Sequence, residues 1–301
     1  MTGVVLFGMH SIYTVLADGR KIQCRIKGKV LRADERAWNP IASGDTVVVD
    51  PDPLSTAEGR IVSVGVRRTA LQRWSKKGRA PQVLAANADA AVCVTSPRSP
   101  PFRPRFIDRL IVAAETGGML PLIVLNKCDL TCPREADARL EYYCTMGYPV
   151  MRCSAKTGAG IADLSAWIGG KTTVFVGQSG VGKSSLLNAL APGLRQRVGA
   201  ISAKHDRGNH TTNYPVLLLP DQGFRIIDTP GIRELELAGI LPSEVAYHFR
   251  DFGKSIPLCT HPSCLHDGEP GCEVEAAAER GEIHPDRLES YRRILQELGR
   301  G

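Results

Sequence analysis

Residues 172–186 read TTVFVGQSGVGKSSL, and the fold follows from how this stretch is read. Thr173 to Val176 is a β-branched and aromatic run. Gly177-Gln178-Ser179-Gly180-Val181-Gly182-Lys183-Ser184 fits G-x4-G-K-S/T, and Ser185 to Leu190 has the Leu/Ala content of a helix. Strand, glycine-rich loop and helix in that order make a phosphate loop. Its glycines let backbone N–H groups close around phosphate oxygens, Lys183 brings positive charge to the β- and γ-phosphates, and Ser184 offers a hydroxyl to Mg²⁺. A Gly-rich turn without a ligand is the plainer reading, and the flanking strand and helix disfavour it. The loop indicates a nucleoside triphosphate. It leaves the base undecided.

Upstream, ADAAVCVTS and PLIVLNKCDL read as buried strands around the helix RFIDRLIVAAETGG, whose Phe106, Ile107, Leu110, Ile111 and Ala114 share one face. Helix ARLEYYCTM, strand YPVMRCSA and helix IADLSAWI come next, and VLLLP and FRIID are strands after the loop. Alternation of strands with helices predicts a parallel sheet. Asn126-Lys127-Cys128-Asp129 ends one strand, where open α/β sheets bind ligands. The Asp129 carboxylate can accept from guanine N1–H and the N2 amine, whereas adenine presents an acceptor at N1 and leaves it unpaired. Asn126 can bridge base and loop, and Lys127 can lay its methylene stem over the ring. Asp228-Thr229-Pro230-Gly231 ends the strand FRIID, placing Asp228 to hold Mg²⁺ through water and the Gly231 N–H near the γ-phosphate; a simple turn is the alternative.

The first 70 residues show short β-branched runs with turn punctuation, including the Asp18-Gly19 hairpin signal, and predict a closed five-stranded barrel of the OB type. Residues 1–80 hold 14 Lys/Arg against 7 Asp/Glu, so this quarter carries an excess equal to the whole chain's net charge of +7. A basic domain beside a nucleotide-binding one favours nucleic acid over an ordinary solvated surface. Trp38, near Lys27, Lys29, Arg32 and Arg36, is either a stacking surface or core. Residues 67–81, RRTALQRWSKKGRAP, are basic and without period, and are expected to be a linker.

In LCTHPSCLHDGEPGCEV, Cys259, Cys264, His266 and Cys272 stand as C-x4-C-x-H-x5-C, a closed tetrahedral donor set for structural Zn²⁺. His261 competes as the imidazole, and free thiols or a redox site compete with the metal. The helices after this stretch place Leu288, Tyr291, Leu295 and Leu298 on one face, read as core. The other six cysteines, Cys24, Cys93, Cys128, Cys132, Cys144 and Cys153, are read as scattered buried thiols. The 301 residues exceed one ordinary core, 43% hydrophobic and 23% charged content excludes disorder as the main state, and no long apolar span occurs. A cytoplasmic monomer is expected.

The order N-K-C-D, then Ser154-Ala155-Lys156, then phosphate loop, then D-T-P-G is a circular permutation of that in Ras-like GTPases, which start with the phosphate loop. The chain resembles, over its whole length, the circularly permuted, ribosome-small-subunit-dependent GTPases of bacteria. That resemblance implies an OB-fold barrel (1–70), a circularly permuted α/β P-loop GTPase domain (71–240) and a mainly helical zinc-binding domain (241–301). It implies binding of the 30S subunit and 16S rRNA, stimulation of GTP hydrolysis by the subunit, and action late in its assembly. Asn126, Lys127, Cys128 and Asp129 with Ser154, Ala155 and Lys156 would hold guanine. Gly177, Gln178, Ser179, Gly180, Val181, Gly182, Lys183, Ser184 and Ser185 would hold phosphates, with Asp228 and Gly231 beside them. Switch I would be HDRGNHTTNY, with Thr212 or Thr211 joining Ser184 and Asp228 at Mg²⁺. Ile232 stands where relatives of Ras carry a water-orienting Gln, so the resemblance points to His210 instead; a surface histidine is the alternative. Other readings of the chain are a GTP-gated rRNA-binding module with incidental hydrolysis and a P-loop nucleotide kinase.

Overall fold

The computed structural model describes residues 1–9, 11–26, 37–193, 214–232 and 234–299. Strands β1 (Thr2–Met9), β2 (Ile12–Ala17), β3 (Arg20–Ile26), β4 (Thr46–Asp52) and β5 (Ser55–Val64) close a barrel in the order β1-β2-β3-β5-β4. Alternation in these strands sends Val5, Tyr13, Val15, Ile22, Cys24, Val47, Val49 and Ile61 inward as its core. Asp18 and Gly19 both take positive φ, 48° and 73°, as a two-residue hairpin turn requires.

Residues 67–81 are not a linker. They form most of an antiparallel ribbon, β6 (Ala70–Ser75) with β7 (Ala80–Ala86). Leu71 and Ala85 are buried on one face of the ribbon, in the sheet core, and Val83 and Ala86 on the other, against Ala42, while Lys76 and Arg79 at the turn stay in solvent. Burial on both faces removed the period-2 alternation that would have marked these strands in the sequence. Trp38 is 49% exposed and therefore not core. It donates its backbone N–H to the Pro81 carbonyl, and its ring lies so close over the ribbon turn that a Cβ on Gly78 would collide with it. Lys27, Lys29, Arg32 and Arg36 lie outside the described residues.

The central sheet comprises β8 (Ala90–Thr95), β9 (Leu120–Leu125), β10 (Val150–Arg152), β11 (Thr172–Gly177), β12 (Val216–Leu218) and β13 (Arg225–Asp228). Its order is β10-β9-β8-β11-β13-β12, parallel except for the edge strand β12. Helices α1 (Pro104–Thr116), α2 (Arg134–Thr145), α3 (Ile161–Ile168) and α4 (Lys183–Leu190) make the crossovers. The predicted face of α1 is buried, and Asp108 is buried with it.

After Leu241 come 3₁₀ turns at Pro242–His248, Arg250–Phe252 and Ile256–Leu258, then α5 (Glu273–Glu279) and α6 (Pro285–Leu298). Phe249, Phe252, Leu288, Tyr291 and Leu295 join the same apolar core as the sheet. An ionic knot fastens this joint. Arg287, fully buried, donates to Asp108 of α1 at 2.7 Å and to Asp251 at 2.7 Å, and its guanidinium lies 4.1 Å over the Phe249 ring. Asp108 also accepts from Tyr143 at 2.5 Å and Arg139 at 3.1 Å. Burial opposes the Arg287 charge, but the two carboxylates outweigh it and raise its proton affinity well above the usual range. Of the six scattered cysteines, Cys24, Cys93 and Cys153 are buried as expected, Cys128 and Cys132 are half-buried, and Cys144 is exposed at the end of α2.

Candidate functional site

Every sequence motif of the nucleotide site falls at the carboxyl end of a parallel strand. Asn126 follows β9, Ser154 follows β10, Gln178 follows β11 and Asp228 ends β13. This is the edge where α/β sheets take ligands, and the loops there are tied to one another. Asn126 is the centre of the ties: its Nδ2 donates to the Val181 carbonyl of the phosphate loop at 2.9 Å, and its Oδ1 accepts the Ala155 N–H at 3.1 Å. One buried side chain thus sets the spacing between three motifs. Gly182 has φ +85°, and a Cβ there would meet Asn126 Nδ2, so the third loop glycine is required twice over.

Lys127 adopts φ 62° and donates its Nζ to the Gly180 carbonyl at 2.7 Å and to the Ser99 carbonyl at 2.6 Å. The base-reading loop is therefore anchored on the phosphate loop. Ser99 was not foreseen; it lies in the SPRSPPFR turn after β8, which carries no motif and enters the site only through folding. Asp129 is exposed and accepts from the Ser154 hydroxyl at 2.6 Å. That hydrogen bond, with help from Lys156 and Lys127, holds its carboxyl below the usual range against a small desolvation cost. An ionised carboxylate at the rim is the form that accepts from an N–H pair.

Lys183, only 8% exposed, is ion-paired with Asp228, which brings the loop's charge and the D-T-P-G carboxylate together. Thr229 donates its hydroxyl to the Phe175 carbonyl at 2.7 Å, and the Ile232 N–H reaches the Gly177 carbonyl at 3.1 Å. The backbone at Gly231 is so near Ser179 that a Cβ there would come within 3.2 Å of its Cα. Ile232 itself is buried. Ser184 and Ser185 are exposed at the start of α4. His210, Thr211 and Thr212 lie outside the described residues.

Cys259, Cys264, His266 and Cys272 come together with all four candidate ligand atoms within 4.8 Å of one another. His266, with φ 57°, aims Nδ1 at the Cys259 and Cys272 sulfurs, at 3.5 and 3.4 Å. The competitor His261 is exposed and outside the cluster. Burial lowers the His266 pKa, keeping the imidazole neutral and able to ligate, and pushes the Cys264 thiol up to about 12. Three thiols held this close, with Cys264 and Cys272 made reluctant to ionise by burial, fit a soft divalent cation that supplies the missing charge. The cluster can hold a metal ion. Glu269 secures its loop by accepting the Leu265 and Asp267 N–H groups at 2.8 Å, and Tyr291 of α6 donates to the Leu265 carbonyl at 2.6 Å.

The family model described as RsgA GTPase matches residues 64–238. This chain belongs to the RsgA GTPase family. It is 42% identical to the small ribosomal subunit biogenesis GTPase RsgA of Azotobacter vinelandii, over 91% of this chain and 80% of that one. The crystal structure of YjeQ from Thermotoga maritima superposes with TM-score 0.74 at 33% identity, covering 99% of this chain and 98% of the other. That of YloQ, a circularly permuted GTPase, gives 0.68 at 31% identity, covering 99% and 95%. The RsgA fold accounts for the permuted motif order, for the barrel before the sheet and for the cysteine and histidine cluster after it. The chain is a GTP hydrolase with a circularly permuted domain.

Proposed function

We propose that the chain hydrolyses GTP to GDP and phosphate on the 30S ribosomal subunit late in its maturation, that the subunit accelerates the reaction, and that hydrolysis drives release. One observation carries the reading: N-K-C-D, S-A-K, phosphate loop and D-T-P-G are hydrogen-bonded into a single sheet end in a chain whose relatives bear the name of small-subunit biogenesis GTPases. Residues 1–70 are the surface for 16S rRNA, 71–240 the GTPase domain and 241–301 the zinc-binding unit. The protein works as a cytoplasmic monomer.

Asp129 reads guanine N1–H and N2, oriented by Ser154, while the Ala155 and Lys156 backbone faces O6. Cys128 adds its backbone to this loop. The stretch from Gly177 to Ser185 wraps the phosphates, and Lys183 moves its charge from Asp228 to the β- and γ-oxygens. Ser184, Thr212 and Asp228 would hold Mg²⁺, which neutralises charge between those phosphates when bound. Gly231 offers its N–H to the γ-phosphate. Because Ile232 is buried and apolar, it cannot orient water, and His210 takes that role as a neutral base in switch I. Cys259, Cys264, His266 and Cys272 would hold one structural Zn²⁺.

His210→Ala tests the catalytic reading. Subunit-stimulated turnover should fall by about 100-fold or more, and subunit release should stall with it. Normal assembly and release despite collapsed turnover would favour the GTP-gated rRNA-binding module.

A further inference from the structure

The end of the switch I stretch is held by the barrel rather than by the GTPase sheet alone. Tyr214 closes HDRGNHTTNY, and its ring stacks on Phe7 of β1 with centroids 5.6 Å apart and planes 24° from parallel. One residue on, the Pro215 carbonyl accepts from the Ser43 hydroxyl of the barrel at 2.8 Å. Phe7 is buried, on the side of β1 that joins the sheet core rather than the barrel core.

On its C-terminal side, Tyr214 leads to the phosphate chemistry. Val216 opens β12 directly opposite Asp228 in the antiparallel register, and Asp228 is the partner of Lys183. On its N-terminal side the connection is equally short: Thr212 is two residues back and His210 four, a span of at most about 14 Å of extended chain. Tyr214 therefore sits between the barrel and the Asp228 side of the reaction centre, at the end of the switch I stretch.

We infer that Tyr214 is a positioning residue through which the barrel, seated on its RNA, sets switch I for hydrolysis, with Phe7 and Ser43 as its seat. This rests on the reading of the chain as a subunit-stimulated GTPase with switch I at 205–214. A barrel fixed against RNA fixes Phe7 and Ser43, and these restrict where the stretch ending at Tyr214 can go. The coupling acts on a transition-state arrangement, so it belongs in kcat and not in nucleotide affinity.

Phe7→Ala, Tyr214→Ala, Tyr214→Phe and the milder Ser43→Ala are assayed beside the unaltered chain for GTP turnover with and without purified 30S subunits, GTP affinity and subunit co-sedimentation. Phe7→Ala and Tyr214→Ala are expected to lower stimulated kcat about tenfold, with unstimulated turnover, GTP affinity and subunit binding within about twofold of the unaltered chain. Tyr214→Phe keeps the stacked ring and should restore stimulation. The double Ala variant should be no worse than either single one, as for two ends of one contact. Stimulated kcat unchanged in both Ala variants overturns the relay while leaving the functional reading intact. A loss matched by equal loss of GTP or subunit binding also overturns it. If Phe7→Ala or Tyr214→Ala fails to fold, Ser43→Ala decides alone: reduced stimulation supports the relay and full stimulation overturns it. No stimulation of the unaltered chain removes the functional reading and the relay together.

Discussion

The GTPase sheet shares its apolar core with both of its neighbours, but different polar contacts tie it to each. Toward the C-terminus the joint is a continuous apolar core pinned by buried charge, with Arg287 between Asp108 and Asp251 and with Arg139 and Tyr143 completing the knot. Toward the barrel the apolar core also continues, through Leu6 and Phe7 of β1, and the ties added to it are the Phe7–Tyr214 stack, the Ser43–Pro215 hydrogen bond and a tight backbone approach at Gly44. The first joint resists displacement, since moving it would strand charge in the interior, whereas the second is tied by contacts that could yield singly. The rigid joint lies behind α1 and α2, and the adjustable one meets the chain beside switch I. Such an asymmetry would suit the proposed conversion of subunit contact into hydrolysis.

Stripping the metal should affect the rigid side most. Exhaustive chelation is expected to release about one Zn²⁺ per chain and to open residues 256–298 to trypsin while the barrel stays protected. Less than one Zn²⁺ in freshly purified protein would count against the ligand set. Next in size, Arg287→Met removes the cation and leaves Asp108 and Asp251 buried without it, costing about 3–5 kcal/mol in urea unfolding. A loss below about 1 kcal/mol would mean that apolar packing alone holds this joint. Gly44→Ala probes the other side. At φ +92° the added Cβ would meet the Ala86 carbonyl, so about 1–3 kcal/mol should be lost, with stimulated turnover reduced more than stability alone explains.

Asp129→Asn should change stability least, because Asp129 is exposed and belongs to neither joint. It should weaken GTP binding about 10- to 100-fold and shift preference toward xanthosine triphosphate, whose position 2 is a carbonyl. Since Ser154 holds the Asp129 carboxyl low, the ionised form persists as pH falls past the usual carboxylate range. GTP affinity should therefore decline only below that range. A decline at ordinary carboxylate pH would show that Ser154 does not orient this group.

The nucleotide site was legible because its residues are local motifs: Asn126 to Asp129, Gly177 to Ser184 and Asp228 to Gly231 each announce a loop at a strand end. The strands and helices of the sheet were legible from periodicity, and the barrel from turn signals such as Asp18-Gly19. What the sequence hid lies between elements. Arg287 reads as one more charge on an amphipathic helix until Asp108 and Asp251 are brought to it from residues far away. Tyr214, the last residue of the switch I stretch, and Phe7 are separated by most of the chain, and nothing local to either announces the other. The ribbon of β6 and β7 was hidden because its buried residues divide between two faces, Leu71 and Ala85 on one and Val83 and Ala86 on the other, so no clean alternation shows beside the basic turn. Of the metal donors, spacing favoured His266 and left His261 as a competitor; the left-handed turn at His266 directs its Nδ1 at the thiols.

The measurement that bears most directly on the whole account is GTP turnover by the unaltered chain with and without purified 30S subunits. The account predicts slow hydrolysis alone and strong acceleration on the subunit, suppressed by His210→Ala. Turnover that is the same in both conditions would contradict it.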